Sequence, residues 1–141
     1  PVNGKYTPRQ RELMDLVLEV QSKAIELLRP GKLHREWNKE VADFYRQLML
    51  DRGIIKAPEE FEKYFYHGIG HHLGLDTHDE NIPQAPIAPG MVFTVEPGFY
   101  SAEEGIGIRI EDDVLVGESE NIILSGDFPR TPDEIEALMA K

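Results

Sequence analysis

Four of the chain's five histidines fall close together, at His67, His71, His72 and His78, and two glutamates, Glu96 and Glu111, each close an apolar stretch further on. One imidazole with two carboxylates is a donor set for a hard-to-borderline divalent cation, and oxygen-rich sets favour manganese or magnesium over copper. There is no cysteine, so thiolate ligands and disulfides are excluded. A lone histidine has many polar roles and says little about metal. The weight lies in the combination, and in Gly68, Gly70 and Gly74, which let backbone approach a ligand closely. The spacing His67-x-x-x-His71 is not the zincin motif. No glutamate follows the first histidine, and the glycines disfavour the helix that motif needs.

The glutamates sit in alternating sequence. In Met91–Glu96, Met91, Phe93 and Val95 share one face of a strand, and Val92, Thr94 and Glu96 the other. In Ile106–Glu111, three isoleucines face one side and Gly107, Arg109 and Glu111 the other. Taken alone, Arg109 and Glu111 could form a wet edge-strand ion pair. A carboxylate at the end of a buried strand, as at Glu96, needs a partner charge, a proton or a metal.

The elements that must position these groups follow from the same pattern. Thr7-Pro8-Arg9-Gln10 reads as a capping box, and Leu13, Val17, Val20, Ala24 and Leu28 recur at helical spacing up to Pro30-Gly31. A second helix is expected over Leu33–Arg52, with Trp37, Val41, Phe44 and Leu48 as its buried stripe and Gly53 behind it. Tyr64–Tyr66 reads as strand, 76–89 as a Pro-rich loop, Met91–Glu96 and Ile106–Val116 as strands, and Pro132–Ala140 as a capped final helix. The sum is a single α+β domain over residues 1–141, helices packed on a curved antiparallel sheet. The net charge of −11 argues against nucleic acid or an anionic membrane as partner. No apolar run approaches the roughly 20 residues of a membrane span, and a cytoplasmic location is the expectation.

Three segments, in order, resemble the Xaa-Pro aminopeptidase and prolidase family of metallopeptidases. They are His67–Asp79 (HGIGHHLGLDTHD), Pro89–Tyr100 (PGMVFTVEPGFY) and Gly105–Asp113 (GIGIRIEDD), with Asp133–Glu136 behind them. The resemblance covers essentially the whole chain. It implies the C-terminal part of a pita-bread fold, in which two pseudo-symmetric halves surround two divalent ions, often manganese. It implies His71, Glu96 and Glu111 as metal ligands, with Glu111 bridging the ions and Glu96 also carrying a proton. It implies His67 and His78 as substrate-binding and catalytic histidines, Tyr100 as substrate-binding, and Arg109 as a catalytic support. Two aspartate ligands of the family precede the region that Pro1–Thr7 resembles, and Asp76, Asp79, Asp112 and Asp113 lie in other motifs. The chain is therefore expected to be a fragment, holding one ion or none by itself, and either to oligomerise or to pair with a missing N-terminal half. The implied substrate is a peptide with proline second. A dipeptidase is the alternative, disfavoured by the short connection from Asp79 to Pro89; a non-catalytic peptide-binding relative is another, disfavoured by the intact donors.

Overall fold

A computed structural model describes residues 1–80 and 82–140. The elements run α1 (Pro8–Leu27), α2 (His34–Asp51), a 3-10 turn (Pro58–Glu60), α3 (Phe61–Tyr64), β1 (Val92–Val95), β2 (Gly98–Ser101), β3 (Ile106–Arg109), β4 (Asp112–Leu115), β5 (Ile122–Ile123) and α4 (Pro132–Met139). Thr7 caps α1 and Thr131 caps α4, each with the reciprocal bond of a capping box and a proline in the first turn. No helix among the described residues is long and apolar enough to cross a membrane.

The long helices form one layer and the sheets the other. Leu13, Leu16, Val17, Val20 and Ala24 of α1 are wholly buried, as are Trp37, Val41, Tyr45 and Met49 of α2. They meet Phe93, Val95, Phe99 and Val114 from the strands in one core. The second helix departs from its expected stripe. Its buried positions repeat strictly every fourth residue, so Tyr45 and Met49 are buried while Phe44 and Leu48 are only half-covered. Tyr45 fits there because its hydroxyl donates to the Gly98 carbonyl at 3.0 Å, and burial pushes that hydroxyl above its ordinary pKa.

Two other expectations are corrected. Tyr64–Tyr66 is not a strand: Tyr64 ends α3, Phe65 turns into the core and Tyr66 is exposed. The aromatic run serves packing, since Phe61, Phe65 and Tyr45 pack ring to ring. Ile106–Val116 is not one strand, and the sheet is not continuous. β1, β4 and β5 form a three-stranded sheet and β2 and β3 a two-stranded one, all antiparallel.

α4 closes onto the start of the chain through one carboxylate. Glu136 accepts from the Tyr6 backbone N–H at 2.8 Å and pairs with Lys5 at 3.1 Å and Arg11 at 2.9 Å. The Tyr6 N–H foremost, then Lys5 and Arg11, hold its pKa down to about 2 from the ordinary 4.5. A depressed carboxylate pKa stabilises the fold above the unfolded value and loses that effect as pH falls towards the folded one. Glu136→Gln should therefore lower Tm near pH ~7, and the gap to the parent chain should close on acidification below pH ~4.5. Thermal melts across that range check it; a gap independent of pH would contradict it.

Candidate metal centre

The break between the two sheets is where the chemistry sits. β1 and β2 are successive, separated only by Glu96-Pro97, and β3 and β4 are separated only by Ile110-Glu111. Val95 pairs with Asp112 on one side of the break and Gly98 with Arg109 on the other. The unbroken register places Glu96 opposite Glu111, and directly opposed residues of antiparallel strands project to the same face. Pro97 has no N–H to give the ladder, which interrupts pairing at this point. From the core side, Gln21 of α1 donates to the Val95 carbonyl at 3.2 Å, flanking the break as Tyr45 does at Gly98. The sequence thus makes one long hairpin whose pairing is interrupted at the position where two carboxylates face each other.

The histidine segment lies against this hairpin in extended form. Glu96 N–H donates to Ile69 O at 2.7 Å, Thr94 N–H to His71 O at 2.9 Å and Leu73 N–H to Val92 O at 3.0 Å. Glycine is required at position 70, because a Cβ there would lie 1.8 Å from the Thr94 carbonyl oxygen. The His71 ring is oriented by its own backbone neighbour: Nδ1 is 2.9 Å from His72 O. A carbonyl only accepts, so Nδ1 carries the proton and Nε2 presents its lone pair to the cleft.

That lone pair points at a carboxylate. His71 Nε2 is 3.2 Å from Glu96 Oε1, and one donor atom each from His71, Glu96 and Glu111 lies within 4.8 Å of the others. Among the described residues this is the one group of three such side chains able to share an ion. Two acceptors facing each other at that distance repel unless a proton or a cation stands between them, so the geometry fits a bound cation. Glu111 shows the same tension: desolvation first, then the charges of Glu96 and Asp113, push its pKa up, while Arg109 opposes this. Arg109 Nη1 is 3.5 Å from Glu96 Oε2, and the Thr94 hydroxyl is 3.3 Å from Glu96 Oε1.

The other expected residues surround this group. A cleft of about 340 Å³ is lined by His67, Gly68, Gly70, His71, His78, Glu96 and Arg109. His67 Nδ1 donates to Gly68 O at 2.8 Å, which leaves Nε2 to accept from the Tyr100 hydroxyl, also at 2.8 Å. That hydroxyl accepts in turn from Arg109 Nε at 2.8 Å. His78 is exposed, with its ring edge-on to His71 at 4.3 Å between centroids. Glu111 faces a neighbouring cavity of about 270 Å³ that shares Arg109 as a wall. Asp112 lines the same cavity but is engaged elsewhere: it is 4% exposed, accepts from Ser125 Oγ at 2.6 Å and meets the Arg130 charge at 3.1 Å. Its Oδ2 lies close to Arg130 without hydrogen-bond alignment.

Sequence reasoning missed the supports. Thr94 links the His71 N–H, accepted at 3.0 Å, to Glu96; the strand alternation placed it beside Glu96 and was the available signal. His34, Asn38, Gln21 and Tyr45 act across long sequence separations, and no local pattern announces them.

Comparison with known proteins identifies the family and the fold. The model of metallopeptidase family M24 matches residues 2–118. A Xaa-Pro aminopeptidase of Haemophilus influenzae is 41% identical over 158 aligned residues, covering 99% of this chain and 37% of that protein. Human Xaa-Pro aminopeptidase 3 is 37% identical, covering all of this chain and 31% of that protein. Zinc-substituted Escherichia coli aminopeptidase P in complex with product superposes with a TM-score of 0.87 at 40% identity, over 99% of this chain and 36% of that one. A Bacillus anthracis chain described as an aminopeptidase P superposes with a TM-score of 0.93 at 40% identity. The chain thus spans about a third of the length of the relatives it matches. Its helices and antiparallel strands are part of the pita-bread fold of these enzymes. By its sequence, its fold and its three convergent donors, the chain belongs to metallopeptidase family M24.

Proposed function

We propose that this chain supplies the histidine and two glutamate ligands of a Xaa-Pro aminopeptidase, which removes the first residue from peptides with proline second. The observation that carries the reading is the convergence of His71, Glu96 and Glu111 at the break in one hairpin. The names of relatives at 37–41% identity support the substrate class. Divalent cations held there, manganese being our choice for a carboxylate-rich set, supply Lewis acidity towards a peptide carbonyl and a nucleophilic water near neutral pH.

The chain's own residues do the rest. His71, Glu96 and Glu111 would hold the metal, each offering one donor atom within 4.8 Å of the others. Glu96 Oε1, beside Thr94 Oγ1, is placed to accept a proton and to deliver it to the leaving proline nitrogen. His67, with Nδ1–H on Gly68 O and Nε2 accepting from the Tyr100 hydroxyl, lines the cleft together with Tyr100's partner Arg109, where substrate would meet the His67–Tyr100 pair. His78 stands at the open rim of the cleft, positioned to meet the substrate carbonyl. Arg109 offsets the negative charge of Glu96 and Glu111 and orients Tyr100.

Three donors suffice for one ion and not for two, so the 141 residues assayed alone should show little or no hydrolysis, even with manganese. The positive test replaces the matching 36% of Escherichia coli aminopeptidase P by this chain. The chimera should release arginine from an Arg-Pro-Pro peptide, stop with chelator and resume with manganese. Arg-Pro should be a poorer substrate than the longer peptide. A folded chimera that binds Xaa-Pro peptides but cleaves none would overturn the reading.

A further inference from the structure

We infer that His34, from the first turn of α2, is a positioning residue for the metal ligand His71. The inference rests on the metal-centre reading and extends it to a residue that touches neither metal nor substrate.

The case begins with one peptide unit. The carbonyl of Gly70 and the N–H of His71 belong to the same planar group, so fixing both ends fixes the backbone from which the ligand projects. The N–H end is held by Thr94 Oγ1 at 3.0 Å. The carbonyl end is held by His34 Nε2 at 2.8 Å, across 36 residues of sequence. Because the partner is a carbonyl, His34 Nε2 must carry the hydrogen. The plane cannot slide sideways either, since Gly70 is packed so tightly against Thr94 and Trp37 that it has no room for a methyl group.

His34 is itself held in orientation. Its ring stacks on Trp37 at 5.8 Å and 28°, and meets Phe93 at 5.5 Å and the His72 ring edge at 5.7 Å. One helical turn on, Asn38 Oδ1 accepts from Ile69 N–H at 2.7 Å, and its amide donates to His34 O at 3.2 Å. The histidine segment is therefore paired with β1 along one edge and tied by two side chains of α2 along the other. With its backbone fixed and Nδ1 engaged by His72 O, the His71 ring needs no reorganisation to present Nε2.

Partners that orient a ligand in this way typically contribute about 10–100-fold to metal affinity. Two variants separate positioning from packing. His34→Phe keeps an aromatic ring against Trp37 and Phe93 but leaves Gly70 O without its donor. His34→Gln gives up the ring stacking but offers an amide N–H of similar reach. Manganese affinity of the 141-residue chain, measured by EPR titration of the free ion, and Tm without metal are the two readouts. Positioning predicts that Phe weakens binding at least about 10-fold while Gln stays within about 3-fold of the parent chain, whatever the order of their Tm values. Phe binding as tightly as the parent would overturn the inference, as would Phe and Gln losing affinity together in step with Tm. If Phe and Gln both bind normally, His34 has no such role and the metal-centre reading stands. If the parent chain binds no manganese, both fail.

Discussion

Replacing Glu111 by Gln should lower the chain's manganese affinity by more than about 100-fold, since loss of a direct ligand exceeds the 10–100-fold seen for outer partners. The same change should leave the metal-free chain as stable as before, or more so. Glu111 stands opposite Glu96 in the register on both sides of the break in the hairpin. Without a cation these carboxylates are like charges in contact range, and Arg109 offsets only part of their repulsion. Glutamine keeps the shape and removes one charge, so repulsion falls while the ligand is lost. The two effects have opposite signs, which separates a metal ligand from a structural carboxylate. Melting the parent chain and the variant with and without manganese reads both, because a ligand raises Tm only through binding the native state. A variant that loses stability without metal, yet keeps the manganese-induced rise in Tm, would contradict the assignment.

Gly70→Ala should be among the most damaging small substitutions in the described chain. Its Cβ would lie 1.8 Å from Thr94 O and 3.1 Å from the Trp37 ring. Backbone cannot yield as the end of a flexible side chain can, so the histidine segment must part from β1. The bonds at stake include Thr94 N–H to His71 O and Glu96 N–H to Ile69 O, at the two ligands themselves. A loss of about 3 kcal/mol or more is expected from a clash of this kind in a packed site. Urea denaturation measures it, and manganese affinity should fall with it. Gly53→Ala is a useful comparison: that glycine has a φ of 66° and nothing within 4 Å of its Cβ position, so its effect should be confined to turn strain. Equal effects at both positions would contradict the close-approach argument.

The candidate donors were legible in the sequence because donor chemistry and strand alternation are local signals. Residue type singled out the histidine cluster, Glu96 and Glu111; the resemblance of the three motifs chose His71 among the histidines and implied the roles, and the structure brings one donor atom from each of the three within 4.8 Å of the others. α1 and α4 were legible for the same reason, each announced by a capping box and a proline. The break was not legible. Ile106–Val116 keeps a period of two apart from Asp112, which falls on the isoleucine face, and the gap in pairing at Ile110-Glu111 lies opposite Glu96-Pro97, where proline offers no N–H to the ladder. Tyr64–Tyr66 misled because aromatic residues favour strands and cores alike, and here the core took them. Tyr45 displaced Leu48 and Phe44 from the buried stripe because a distant carbonyl, Gly98 O, satisfies its hydroxyl. His34 and Gln21 lay beyond reach for the same reason: their partners, Gly70 and Val95, are 36 and 74 residues away.

The most direct measurement is an anomalous-scattering map of the crystalline chain soaked in manganese. The account predicts one strong peak at bonding distance from His71 Nε2 and from carboxylate oxygens of Glu96 and Glu111, with His71 Nδ1 still on His72 O. Manganese found only among surface carboxylates such as Asp76 and Glu80, with the break in the hairpin empty, would contradict it.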